Sequence, residues 1–127
     1  FHITHWLNEE NKYSEINKTS YDRLIKKSLK NMETLYEILN AKNISLSIVV
    51  YPHPVQIYNN NLYSRNEKIW ENFCIQRCKK FYNLSKSFKY NTIPSIEIIK
   101  KYYIDGDIHF NEKGAELISK LFLKEFN

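Results

Sequence analysis

The sequence predicts an α/β domain, a short parallel sheet flanked by helices, and three observations predict it. Residues 44–51 (ISLSIVVY) are a β-branched run without full polar alternation, the pattern of a strand covered on both faces. Apolar side chains recur at Tyr21, Leu24, Ile25, Leu29, Met32, Leu35, Tyr36 and Leu39, the three-four spacing of a helix with one buried stripe. Helix, short turn and apolar strand, in that order, are half of a βαβ unit. The 127 residues suffice for one modest domain with one core.

The formal charge of +5 is mild for this length. The lysines are spread along predicted helices rather than gathered on one face, so no nucleic-acid partner is expected. No charged-then-apolar leader and no apolar run near 18 residues occurs, so the residues read as soluble, with the compartment left open. The chain starts at Phe1 without an initiator Met, which reads as processing or as part of something longer. Oligomeric state is not legible.

Residues 1–18 have no clean period and are expected to connect; His2 and His5 share a helical turn there without a third ligand. Residues 19–127 form the domain. Its first helix starts at Thr19 or Ser20, faces solvent with Lys26, Lys27, Lys30, Glu33 and Glu37, and ends over residues 40–43. After the strand comes Tyr51-Pro52-His53-Pro54-Val55-Gln56-Ile57-Tyr58. Two prolines flanking one residue predict a stiff, extended loop. In open α/β sheets ligands bind past the C-terminal strand ends, so His53, Gln56 and Tyr58 are candidate binding residues.

Residues 59–61 read as a turn, and Ser64-Arg65-Asn66-Glu67 as a capping box. The helix that follows buries Ile69, Trp70, Phe73 and Cys74 and ends near Lys80, with Trp70 as a core anchor or a cleft wall. Cys74 and Cys78, one helical turn apart, are expected to be free thiols, because a disulfide across a turn is geometrically poor. Residues 81–84 are a strand that lies beside the first, and 85–91 a polar loop with Phe88 and Tyr90. Ser95 caps a short helix over 96–103. Asn111 caps the last helix, which turns Ala115, Ile118, Leu121, Phe122 and Phe126 inward. Gly114, early in that helix, implies a close approach, such as that of the proline-rich loop.

The chemistry concentrates in Asp105-Gly106-Asp107-Ile108-His109-Phe110-Asn111-Glu112-Lys113-Gly114. A carboxylate that orients an imidazole fixes its tautomer and stabilises its charged form, leaving the other ring nitrogen to take a proton from a serine. Asp107 and His109 are two apart and share a face on an extended segment. Asp105 is the reserve for the orienting role.

Asp107-x-His109-x-Asn111-x-x-Gly114 before an amphipathic helix resembles the last block of SGNH (GDSL-type) hydrolases. The usual spacing there is Asp-x-x-His, which Gly106 breaks. The tighter Asp-x-His resembles the alginate-type O-acetyltransferase branch and selects Asp107. The Tyr51-Pro52-x-Pro54-x-Gln56 segment is similar to one that certain bacterial SGNH-type proteins carry after the central strand, usually with an aromatic in place of His53. The resemblance runs from Ser20 to the end, roughly the second half of a family member. It implies part of a three-layer flavodoxin-like fold and an acyl-ester hydrolase or carbohydrate O-acetyltransferase. The implied substrate is a small-molecule or carbohydrate ester, with no cofactor or metal. The family's Gly-Asp-Ser turn and later Gly and Asn donors are missing, so the serine is expected upstream of Phe1, and residues 1–127 alone are expected to be nearly inactive.

Two other readings stay open. The same sheet edge can hold a carbohydrate or peptide without chemistry, through His53, Gln56, Tyr58, Trp70 and Asn111. Alternatively, Asp105, Asp107 and His109, with His53, can serve as ligands to a divalent ion.

Overall fold

The structure, a computed structural model, describes residues 18–89 and 92–126. The expected connecting segment 1–18, with His2, His5 and Trp6, lies outside the described residues apart from Lys18, as do Tyr90 and Asn91. The chain folds as a mixed α/β unit, mostly helical. Its elements are α1 (Lys18–Ala41), β1 (Leu46–Val50), α2 (Pro54–Tyr58), α3 (Arg65–Cys74), β2 (Cys78–Asn83), a 3-10 turn (Ser85–Phe88), α4 (Ser95–Tyr102) and α5 (Glu112–Phe126).

β1 and β2 pair in parallel, with Ile48 opposite Phe81 and Val50 opposite Asn83. The second strand therefore lies beside the first, as its place in a βαβ order predicts. The expectation that β1 is covered on both faces does not hold: Leu46, Ile48, Val49 and Val50 are all half-buried. Among the described residues the sheet has two strands, so β1 has one neighbour.

The apolar stripe of α1 is not core either. Ile25, Leu29, Met32, Tyr36 and Leu39 are half-buried, while Leu24 and Leu35 are exposed. Polar ties add to this partial burial: Asp22 to Arg65 at 2.6 Å, Glu33 to Arg77 at 2.7 Å, and the Tyr21 hydroxyl to Asn66. The core lies among α2, the 3-10 turn, α4 and α5. Val55, Ile57, Phe88, Ile98, Ile99, Tyr102 and Tyr103 are buried together, with Phe110, Leu117, Ile118 and Leu121 packed on them. In α5 the inward residues are thus Gly114, Leu117, Ile118, Leu121 and Phe122, whereas Ala115 and Phe126 face solvent.

Asparagines end two helices by the same device. Asn43 (φ 56°) and Asn60 (φ 52°) take the left-handed conformation. Ile44 N–H then donates to Leu39 at 2.9 Å and Asn61 N–H to Gln56 at 2.8 Å. These six-to-one bonds are the Schellman closure, which satisfies carbonyls a helix end leaves open.

Three local expectations are corrected. α3 stops at Cys74, and the chain enters β2 at Cys78. The two cysteines are therefore not on one helix; their Cα atoms are 4.6 Å apart and their sulfurs are bonded. Residues 54–58 are a short helix rather than an extended loop, because Pro54 occupies its first position, where a missing N–H costs nothing. Ser95 lies inside α4, whose N-cap is Pro94.

Candidate functional site

A cleft of about 540 Å³ opens past the C-terminal end of β1. It is of the size that small ligands occupy. Val50, Tyr51, Pro52, His53 and Gln56 form one side, Asn66, Glu67 and Trp70 of α3 another, Tyr21 and Ile25 of α1 a third, and Ile108, His109 and Phe110 close it.

The loop that brings His109 there is tied at both ends. Tyr103 and Phe110 form an antiparallel bridge, with Ile104 N–H donating to His109 O at 3.0 Å. Inside it, Asp107 N–H donates to Ile104 O at 3.1 Å, and Gly106 turns the chain at φ 71°. Asn111 clamps the exit. Its side-chain amide donates to Lys101 O and Tyr103 O, each at 3.1 Å, while its Oδ1 accepts from Gly114 N–H at 3.0 Å. This satisfies donors at the start of α5 as a cap should.

Asp107 Oδ1 lies 2.6 Å from His109 Nδ1. The same oxygen accepts from the backbone of Ile108 at 2.6 Å and of His109 at 3.2 Å. The pairing thus comes from an Asx turn and not from the extended segment that the two-residue spacing suggested. The His109 ring, then the backbone donors, hold the Asp107 carboxyl below its ordinary value. A carboxylate accepting from Nδ1–H leaves the His109 Nε2 lone pair as a proton acceptor. The imidazole is three-quarters exposed (75%). Asp105, the reserve, is exposed on the turn and is not the partner of His109 in this pair.

His53 is the N-cap of α2, in extended conformation (φ −74°, ψ 148°). Its Nδ1 accepts from Val55 N–H at 3.4 Å, and its N–H donates to Gln56 Oε1 at 2.8 Å. Burial lowers the imidazole pKa and favours the neutral ring. Flanking Pro52 and Pro54 are fully buried. The Tyr103 hydroxyl donates to Pro52 O at 2.5 Å, so the His53 and His109 loops share one anchor. Burial, then the nearby Tyr51, raises the Tyr103 phenol far above its ordinary range, keeping it a donor.

The other expected binding residues divide. Trp70 lines the cleft and packs edge-on against Phe73 at 6.0 Å. Gln56 lines it too, but its amide is committed to Ser64 Oγ at 3.2 Å and Glu67 Oε1 at 2.9 Å. Tyr58 is exposed at the end of α2 and does not line the cleft, and Asn111 is taken up by the clamp. Glu67 was legible only as half of a capping box; it is a buried carboxylate at the cleft wall. Tyr51 and Phe110 were also missed. Their rings meet at 5.2 Å, and Phe110 in turn meets Tyr103 at 4.6 Å. The aromatic at each of these positions was visible, but not that the fold joins them.

Among the described residues no group of three His, Cys, Asp or Glu side chains comes together to hold a metal ion. None of their helices is long and apolar enough to cross a membrane. No protein-family model, curated protein or solved structure significantly matches the chain.

Proposed function

We propose that this chain carries the acid–base part of an SGNH-type esterase or carbohydrate O-acetyltransferase, and that the β1–β2 sheet belongs to a flavodoxin-like fold of that type. One observation carries the reading: Asp107 holds His109 Nδ1 at 2.6 Å on a loop that lines a cleft past a strand's C-terminal end. The half-covered side chains of β1 suit a sheet with further strands. In this reading His109 Nε2 deprotonates a serine, and an acyl group passes through an acyl-enzyme. No Ser, Thr or Cys lines the cleft among the described residues; in this reading the serine is supplied by sequence upstream of Phe1.

The test is turnover of an aryl acetate by the full-length protein. His109→Ala and Asp107→Asn are each expected to lower kcat by about three orders of magnitude, and residues 1–127 alone to turn over almost nothing. Unchanged turnover in both variants would sink the proposal.

A second reading is a carbohydrate- or peptide-binding module. What favours it is the same lack of a nucleophile among the lining residues, together with walls of Tyr21, Tyr51, Trp70 and Phe110. It expects no acyl chemistry in the full-length protein, and affinity that survives replacement of Asp107 and His109.

A further inference from the structure

We propose that His53 is a second working imidazole of the cleft, of opposite sense to His109: its Nε2–H donates to the carbonyl oxygen of a bound acyl group while His109 Nε2 accepts the nucleophile's proton. The inference rests on the acyl-transfer reading above and adds to it a donor that the resemblance does not supply.

The argument is one of tautomers. Val55 N–H points at His53 Nδ1. The bond is long at 3.4 Å, but a proton on Nδ1 would meet that N–H head-on, donor against donor. The proton of the neutral ring therefore sits on Nε2, and Nε2–H is the polar group that the ring has left to offer. His109 is the mirror case, with Nδ1–H given to Asp107 and Nε2 bare. Both rings line one cleft. One presents a donor, the other an acceptor, which is the pair that addition of an alcohol to an ester requires.

Rigidity strengthens the case. A donor aimed at developing charge is most effective when it need not reorganise. His53 sits between two buried prolines, with its own N–H held by Gln56 and the carbonyl before it held by Tyr103. The Glu67 carboxylate on the same wall is engaged by Ser64 N–H at 2.7 Å and Gln56 Nε2 at 2.9 Å, and by the Ser64 hydroxyl.

The step balances as follows. The serine oxygen bonds to the acyl carbon, its proton moves to His109 Nε2, and the carbonyl π pair moves onto oxygen, where His53 Nε2–H donates. When the carbonyl re-forms, the bond to the leaving alkoxide breaks, and that oxygen takes the proton back from His109. His53 keeps its proton throughout.

Two measurements test this on the full-length protein. Nitrogen-15 NMR at neutral pH should find His53 bare at Nδ1 and protonated at Nε2, and His109 the reverse. A His53 that carries Nδ1–H, or both protons, overturns the proposal. In kinetics, His53→Asp keeps a capping oxygen but removes the donor. It should melt like the wild type and lose about 10²–10³-fold in kcat, with KM little moved. His53→Asn, which retains an N–H, should recover part of that loss. If His109→Ala abolishes turnover and His53→Asp leaves it intact, the role of His53 alone falls. If the wild type turns over nothing, or neither variant matters, both readings fall.

Discussion

The carbonyl oxygen of Tyr102 fills the space that a side chain would need at Gly114: a Cβ built there would stand 2.1 Å from it. The Phe110 ring is nearly as close, at 2.7 Å. The end of α4 thus lies directly on the first turn of α5, and the loop between them carries Asp107 and His109.

Gly114→Ala is therefore expected to destabilise the protein. In an open helix the change gains up to about 1 kcal/mol. Here the backbone of Tyr102 must move, which costs about 3 kcal/mol. Because Phe110 follows His109 directly, the displacement should also disturb the Asp107–His109 pair. Urea unfolding of the two proteins checks the first effect, and the His109 imidazole signals check the second. An alanine variant as stable as the parent would mean that the close packing is absent.

The glycine was legible as a close approach, but its neighbour was not. Nothing in the chain's spacing ties residue 114 to a carbonyl twelve positions back rather than to the proline-rich loop. The same limit runs through the fold. Ser64 and Glu67, or Asn111 and Gly114, act within one turn, so their residue types suffice to place them. Asp107 and His109 were legible as neighbours, though the Asx turn that joins them depends on where the Tyr103–Phe110 bridge closes the loop. At Pro52-His53-Pro54 the prolines point to an extended loop, whereas burial of Val55 and Ile57 goes with a short helix from Pro54. Helical periodicity runs on past Cys74, and only pairing with β1 turns residues 78–83 into a strand.

That turn makes the cysteines a clasp between α3 and β2. The loop they close is short, with a sequence separation of 4, so the chain-entropy gain is small, about 2 kcal/mol. Cys74→Ser with Cys78→Ser should lower stability by about that amount, with the fold retained, and a reducing agent should do the same to the parent. Denaturant midpoints with and without reductant measure it. Equal midpoints would show that the thiols do not pair in solution.

Glu67 sets a pH dependence whose sign follows from its partners. Burial pushes its carboxyl upward, but Ser64 and Gln56 donate to the ionised form and hold it below the ordinary value. The folded state thus binds the proton less readily than the unfolded state. The stabilisation is fully present above the ordinary carboxylate range and is lost as pH falls through the lowered folded value. Glu67→Gln keeps a side-chain acceptor for Ser64 but does not titrate. At neutral pH it should be less stable by about 1–2 kcal/mol, the worth of hydrogen bonds to a charged group over a neutral one. On acidification the gap should close, because the parent loses what the variant never had. Asp107 and Glu116, which are also lowered by their partners, titrate alike in both proteins and cancel in the difference. Urea unfolding at a series of pH values gives the two curves. Parallel curves would mean that the Glu67 carboxyl titrates alike in the folded and unfolded protein, and that Ser64 and Gln56 do not favour its ionised form.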